Sequence, residues 1–224
     1  MSDFDARSVA ENPEPGAQAA GRKRPKPGER RIQILQALAA MLEQPDGERI
    51  TTAALAARLQ VSEAALYRHF ASKAQMYEGL IEFIEQSVFT LINQITAPGA
   101  GDGAQQVARI MAMLLQFGQK NPGMVRVMVG DALVYENERL LQRMNLFFDK
   151  IEAALRQVLR DGVASHGSST PSADAQVQSS VLTSFAVGRL QRFARSGFRR
   201  LPTENLDACL ACLIAGERIP AAAA

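Results

Sequence analysis

From Ile50 to Lys73 the chain reads Ile-Thr-Thr-Ala-Ala-Leu-Ala-Ala-Arg-Leu-Gln-Val-Ser-Glu-Ala-Ala-Leu-Tyr-Arg-His-Phe-Ala-Ser-Lys. The spacing predicts two short helices with a tight break between them, followed by the cap of a third. Leu55 and Leu59 sit four residues apart on the first helix, and Leu66 and Phe70 four apart on the second. Each pair makes one apolar stripe. Val61 falls in the turn and can plug it. Ser62 can accept an orphan backbone N–H at a helix start, and Glu63 suits the positive end of the helix dipole. Ser72 offers a cap of the same kind further on.

Two helices joined in this way form a helix-turn-helix, whose second helix enters the major groove of DNA. At about 100° per residue, Leu66 and Phe70 define its buried side. The opposite side carries Ala64, Ala65 and Arg68, flanked by Tyr67 and His69. Two alanines bring a helix axis close to base edges, and either can touch a thymine methyl. Arg68 is always charged and can fork onto a guanine. Thr51, Thr52, Ser62, Tyr67, His69 and Lys73 are candidates for phosphate oxygens, which fix register without reading sequence. The competing reading, a solvated helical hairpin, lacks a reason for cap, stripe and basic–aromatic face to fall in this order.

The stretch resembles the DNA-binding domain of the TetR family, and Leu66-Tyr-Arg-His-Phe-Ala-Ser-Lys73 carries the match. That resemblance implies an all-α, TetR-like fold: an N-terminal three-helix DNA-binding domain followed by a C-terminal helical dimerisation domain. One departure is Gln60, where many such turns carry glycine because φ is positive. A non-glycine residue there costs about 1 kcal/mol.

The net charge is only +2, but it is unevenly spread. Asp3, Asp5, Glu11 and Glu14 outweigh Arg7 at the N-terminus. Arg22, Lys23, Arg24, Lys26, Arg30 and Arg31 then face Glu29 alone, directly ahead of the helix-turn-helix. A basic arm beside a DNA reader anchors phosphates, and Arg30 and Arg31 are its candidate contacts. Pro13, Pro15, Pro25 and Pro27 argue against order in the arm itself.

Other chemistry finds little support. Cys209 and Cys212 are spaced as C-x-x-C, but the chain has two histidines and neither lies near, so the pair reads as small apolar residues on a helix rather than a zinc or redox site. Gly99, Gly101 and Gly103 follow no strand and read as a helix–helix loop. No nucleophile–base arrangement is evident, so the expectation is a non-enzyme without cofactor or metal. No apolar run approaches the ~20 residues of a membrane span. The N-terminus lacks the apolar core of a secretion signal, which predicts a cytoplasmic protein.

Helical periodicity accounts for the rest. A first helix is expected over Glu29–Leu42. A long one runs from the Ser72 cap to about Ile95, with Tyr77, Leu80, Ile81, Ile84, Val88, Leu91, Ile92 and Ile95 on one face. Further helices are expected over 105–119, 124–135, 138–160, 175–196 and 203–215, with a loop over 166–174. The expected division is a disordered basic arm over 1–28, a DNA-binding domain over 29–75, a dimerisation and partner-binding domain over 76–216, and a loose tail over 217–224. One helix-turn-helix reads one half-site, so a homodimer on a palindromic duplex is expected. The TetR resemblance implies an interface on the last two helices, through Val181, Phe185, Leu190, Phe193, Leu210 and Leu213.

A narrower resemblance lies outside the DNA domain. Leu80-Ile-Glu-Phe-Ile-Glu85, Phe117-Gly-Gln-Lys-Asn-Pro-Gly123 and Arg143-Met-Asn-Leu-Phe-Phe-Asp-Lys150 are similar to the nucleoid-occlusion branch of the TetR family. That branch binds dispersed palindromic chromosomal sites. When bound, it antagonises polymerisation of FtsZ, the tubulin-like division protein, over the nucleoid. The resemblance implies an FtsZ-tail groove at Phe83, Met113, Lys120 and Asn121. Phe83 also stands about 100° off the apolar stripe, as an anchor for a partner would. Leu91 and Gln116 depart from the branch, where arginine and glycine are expected. The alternative within the family is a ligand-responsive repressor with an aromatic-lined interior pocket.

Overall fold

The computed structural model describes residues 28–44, 50–99, 102–164 and 170–215. Among these, nine α-helices occur and no strand: α1 (Glu29–Leu42), α2 (Thr52–Leu59), α3 (Glu63–Tyr67), α4 (Lys73–Ile95), α5 (Gly103–Lys120), α6 (Pro122–Met128), α7 (Glu138–Ala164), α8 (Pro171–Arg195) and α9 (Leu206–Ala215). A short 3₁₀ turn, Asp131–Leu133, lies between α6 and α7. The fold is the expected all-α one. The basic arm up to Lys26 and the C-terminal tail fall outside the described residues.

Four helix starts are set by a local side-chain acceptor. Thr51, Ser62, Ser72 and Asp102 accept the backbone N–H of Ala54, Ala65, Gln75 and Gln105 at 2.8–3.2 Å. Each such cap contributes about 1 kcal/mol. Pro122 and Pro171 open α6 and α8, where a missing N–H is harmless. Pro171 therefore corrects the expected loop over 166–174: the chain is helical from residue 171 on. The expected 124–135 helix is instead α6 plus the 3₁₀ turn, because Gly130 at φ 85 ends α6.

The α2–α3 turn is closed by Gln60 at φ 54, ψ 47. Gln60 donates to Ala57 O, and Val61 donates back to Ala56 O, both at 3.0 Å. This paired closure satisfies two of the last carbonyls of α2 and seats Val61 against them. Glutamine thus takes the left-handed conformation that glycine adopts without strain.

The headpiece core is Ile34, Leu38, Leu42, Leu55, Leu66 and Phe70, all buried. The N-terminal turns of α4 pack on it, with Gly79 against Phe70 and Leu35. The same helix then enters the body, where Ile84, Val88 and Ile92 meet α5 and α7. Leu91, placed on that stripe by periodicity, is instead exposed. In the body, Phe147 is packed edge-on by Phe89 and Phe148 at 5.7 and 5.1 Å between centroids. Arg143 binds Glu85 at 2.6 Å, and Arg139 pairs with Glu78, tying α7 to α4. The bond to Glu85 holds the Arg143 guanidinium still more firmly protonated than usual.

Headpiece and body meet through α1 and α6. A methyl group built on Gly123 would lie 2.0 Å from the Ala39 carbonyl oxygen. Only glycine allows this backbone-to-backbone approach.

Candidate nucleic-acid interface

On α3 the buried and exposed sides are those the helical angle predicts. Leu66 and Phe70 face inward, Ala65 is half-buried, and Ala64, Tyr67, Arg68 and His69 are exposed. α3 itself is only five residues long and Arg68 is its C-cap. The Arg68 guanidinium has no hydrogen bond or ion pair with any described residue, and so stands free at the surface.

The neighbouring polar residues are already organised. Thr51 and Ser62 use oxygen lone pairs in capping, which leaves each hydroxyl proton free to donate. Thr52 donates to Glu63 Oε2 at 2.6 Å and accepts from the Tyr67 hydroxyl at 3.4 Å. Arg31 lies 4.1 Å over the Phe70 ring and donates to the His69 carbonyl at 2.9 Å. It therefore braces α1 against the end of α3 while the residue itself remains exposed. Arg30 is half-buried and donates to Gln33 at 3.1 Å.

Lys73 is placed differently from expectation. Its ammonium is 2.5 Å from Glu136 Oε1, its side chain is only 21% exposed, and the Tyr77 ring lies 5.6 Å away. It ties α4 to the body rather than standing free for a phosphate. A half-buried ion pair of this kind is costly to open, because it would leave Glu136 poorly solvated. Burial, and secondarily Glu136, pushes the Tyr77 hydroxyl well above the usual phenol range. These groups border a cleft of about 520 Å³ between headpiece and body, which Arg58 and Arg126 also line.

The second candidate surface joins α4 and α5. Phe83 is 48% exposed and Met113 half-buried. Because α5 runs back along α4, Met113 lies roughly level with Phe83, and Lys120 lies about 10 Å nearer the headpiece by helical rise. Lys120 is exposed. Asn121 is not free: its Nδ2 donates to Phe117 O at 2.7 Å and closes α5.

The expected dimer face needs correction. Leu190, Phe193 and Leu210 are 0%, 2% and 4% exposed within one chain, so they belong to its own core. Their apolar side chains point at α5 and at neighbouring turns, as Leu190 does at Gly118. Val181 is 46% exposed, and Phe185 and Leu213 are half-buried. Val177, one turn before Val181 on the same helix, is 66% exposed. Val177, Val181 and Phe185 recur every four residues and make one open stripe on α8. Gly188 continues it, with nothing within 4 Å of the place a methyl would occupy.

A capped helix pair braced by α1, carried on a long α4 that runs into a helical body, defines a TetR-type DNA-binding regulator. The family model described as "Bacterial regulatory proteins, tetR family" matches residues 34–80, and the SlmA-like model "Tetracyclin repressor-like, C-terminal domain" matches 102–215. The chain is 49% identical to nucleoid occlusion factor SlmA of Vibrio cholerae over 187 residues, covering 83% of this chain and 94% of that protein. It is 50% identical to SlmA of Idiomarina loihiensis over 179 residues, covering 80% and 90%. The chain belongs to the SlmA family of nucleoid occlusion factors. Among solved structures it is similar to the regulator MbdR from Azoarcus sp. CIB, with a TM-score of 0.69 at 16% identity, covering 83% of this chain and 97% of that one. It is also similar to FadR from Bacillus subtilis in complex with stearoyl-CoA, with a TM-score of 0.68 at 14% identity, covering 83% and 98%. At such identity the likeness is one of fold. No helix among the described residues is long and apolar enough to cross a membrane.

Proposed function

We propose that the protein is a homodimeric, nucleoid-associated factor that binds palindromic chromosomal sites and, when bound, antagonises FtsZ polymerisation. The observation that carries the partner-binding half is Phe83, a large aromatic residue exposed on the helix that also anchors the headpiece. An exposed aromatic over a helix–helix groove is the kind of anchor that dominates binding of a short peptide. Met113 and Lys120 supply an apolar and a cationic neighbour, and Asn121 fixes the groove's end through its cap. The family's name for its members supports division control at the nucleoid.

Phe83→Ala is expected to keep DNA binding near normal while losing inhibition of FtsZ polymers. Sedimentation of FtsZ with the protein, with and without its DNA site, measures this. If the parent saturated with DNA leaves FtsZ polymers untouched, a ligand-controlled repressor becomes the better reading. Base reading rests on Arg68, the unpaired cation of the exposed α3 face. Arg68→Ala should cost about 1–3 kcal/mol on the preferred site and relax preference at one base pair. Fluorescence anisotropy against matched and single-substituted duplexes checks it. Unchanged affinity and preference would remove Arg68 from the reading face.

A further inference from the structure

The loop after α8 holds a cluster that neither the helix-turn-helix nor the Phe83 groove uses. Gly197 and Phe198 are consecutive left-handed residues, at φ 61 and φ 63. For a phenylalanine that conformation is strained, so its surroundings must impose it. The Phe198 ring packs on Phe193 at 5.2 Å, and the Arg126 guanidinium sits 5.4 Å from its centroid. Ser196 Oγ accepts the backbone N–H of Arg199 at 3.1 Å and of Arg200 at 2.9 Å. The loop is thereby held in one shape. It brings Arg199 and Arg200 beside Arg189 and Arg192, around a pocket of about 430 Å³ completed by Leu201 and Glu204.

Four guanidinium groups face a single carboxylate there. No ion pair joins them to any described residue, whereas Arg139 and Arg143 on α7 each hold a glutamate. Arg189 is fixed: it donates to the Glu204 carbonyl at 2.5 Å and lies over the Phe185 ring. Its Nε is buried without an acceptor. Arg192 and Arg200 make no side-chain hydrogen bond within the described residues. Four like charges against one carboxylate leave an excess that repels, and an oxyanion relieves this; guanidinium forks match phosphate oxygens in geometry.

The cluster's position says which oxyanion. The end of α8 lies against α6, and Thr203 reaches Gln119, near the end of α5, at 2.5 Å. α6 in turn lies on α1 of the headpiece, through Gly123 and Ala39. The arginines therefore stand at the headpiece end of the body. They also follow directly on the open Val177–Val181–Phe185 stripe, so a two-fold dimer through that stripe sets two such clusters near its axis, between two headpieces.

Resting on the dimeric DNA-binding reading above, we propose that this arginine pocket is a second phosphate site, which grips the DNA backbone between the two half-sites. It adds affinity without reading bases. One test needs no variant: the parent is bound to duplexes carrying uncharged methylphosphonate linkages either in the central spacer or in the outer flanks. Spacer neutralisation should weaken binding by about tenfold or more. The triple variant Arg192→Gln/Arg199→Gln/Arg200→Gln, which leaves Arg189 in place, should be indifferent to it. Its slope of log affinity against log salt should flatten by about 0.9 per lost phosphate contact, with site preference unchanged. A parent that reads its site normally yet ignores the neutral spacer overturns this inference alone. A triple variant that sediments as a monomer also overturns it, since the arginines would then serve acids of the second copy. A parent without any site preference would overturn the reading on which the inference rests, and the inference with it.

Discussion

Val181→Glu should separate the protomers and lower affinity for a two-half-site duplex by about a hundred- to ten-thousand-fold. Val181 lies mid-stripe between Val177 and Phe185, in the open on an isolated chain. A glutamate there costs the single chain little. Across a two-fold axis it meets its own copy, and two carboxylates buried together in an apolar interface repel strongly. Losing the second headpiece removes the intramolecular second binding event, which is where most of the affinity resides. Sedimentation reads the mass and anisotropy the affinity. A dimeric Val181→Glu protein would move the interface elsewhere. Leu190→Glu is no substitute test, because a charge at that fully buried position attacks the chain's own core.

Gly123→Ala should destabilise the protein by about 3 kcal/mol, lowering Tm by about 6–12 °C. The added methyl meets backbone, the Ala39 carbonyl oxygen at 2.0 Å and its carbon at 2.9 Å. A side chain can turn away from such a collision, but a helix backbone can yield only by moving as a body. The headpiece should therefore loosen from α6, with weaker DNA binding as a second consequence. Thermal denaturation checks the first effect. A Tm within about 1 °C of the parent would mean that α1 and α6 slide apart at little cost, and that the junction is not rigid.

Much of the fold was legible because it is written in local spacing. Glu29–Leu42 follows from an apolar stripe and the helix to Ile95 from a stripe and the Ser72 cap, and both have those bounds. The exposed face of α3 followed from Leu66 and Phe70 alone. What escaped depends on partners distant in sequence. Lys73 finds Glu136 63 residues away, and helical arithmetic carries no trace of that. Leu190 and Phe193 looked like spare apolar surface because nothing local tells a core-facing stripe from an interface-facing one. Only the packing of α8 on α5 and α7 separates them from Val177 and Val181. The arginine cluster did have a signal: Arg189, Arg192, Arg195, Arg199 and Arg200 fall within twelve residues. The strained turn that gathers four of them did not.

The 23 residues of α4 run unbroken from the Ser72 cap past Phe83 to Ile95. From Lys73 to Phe83 the helical rise amounts to about 15 Å. With a peptide hooked at Phe83, α4 becomes a ruler without slack: every captured tail hangs at one fixed stand-off from the duplex. The spacing between captured tails would then be inherited from the spacing of chromosomal sites, not from any linker. On the proposed reading, such molecules bound along a chromosome would form a comb whose pitch the genome sets, and a filament of tail-bearing subunits would engage it only where the two repeats come into step.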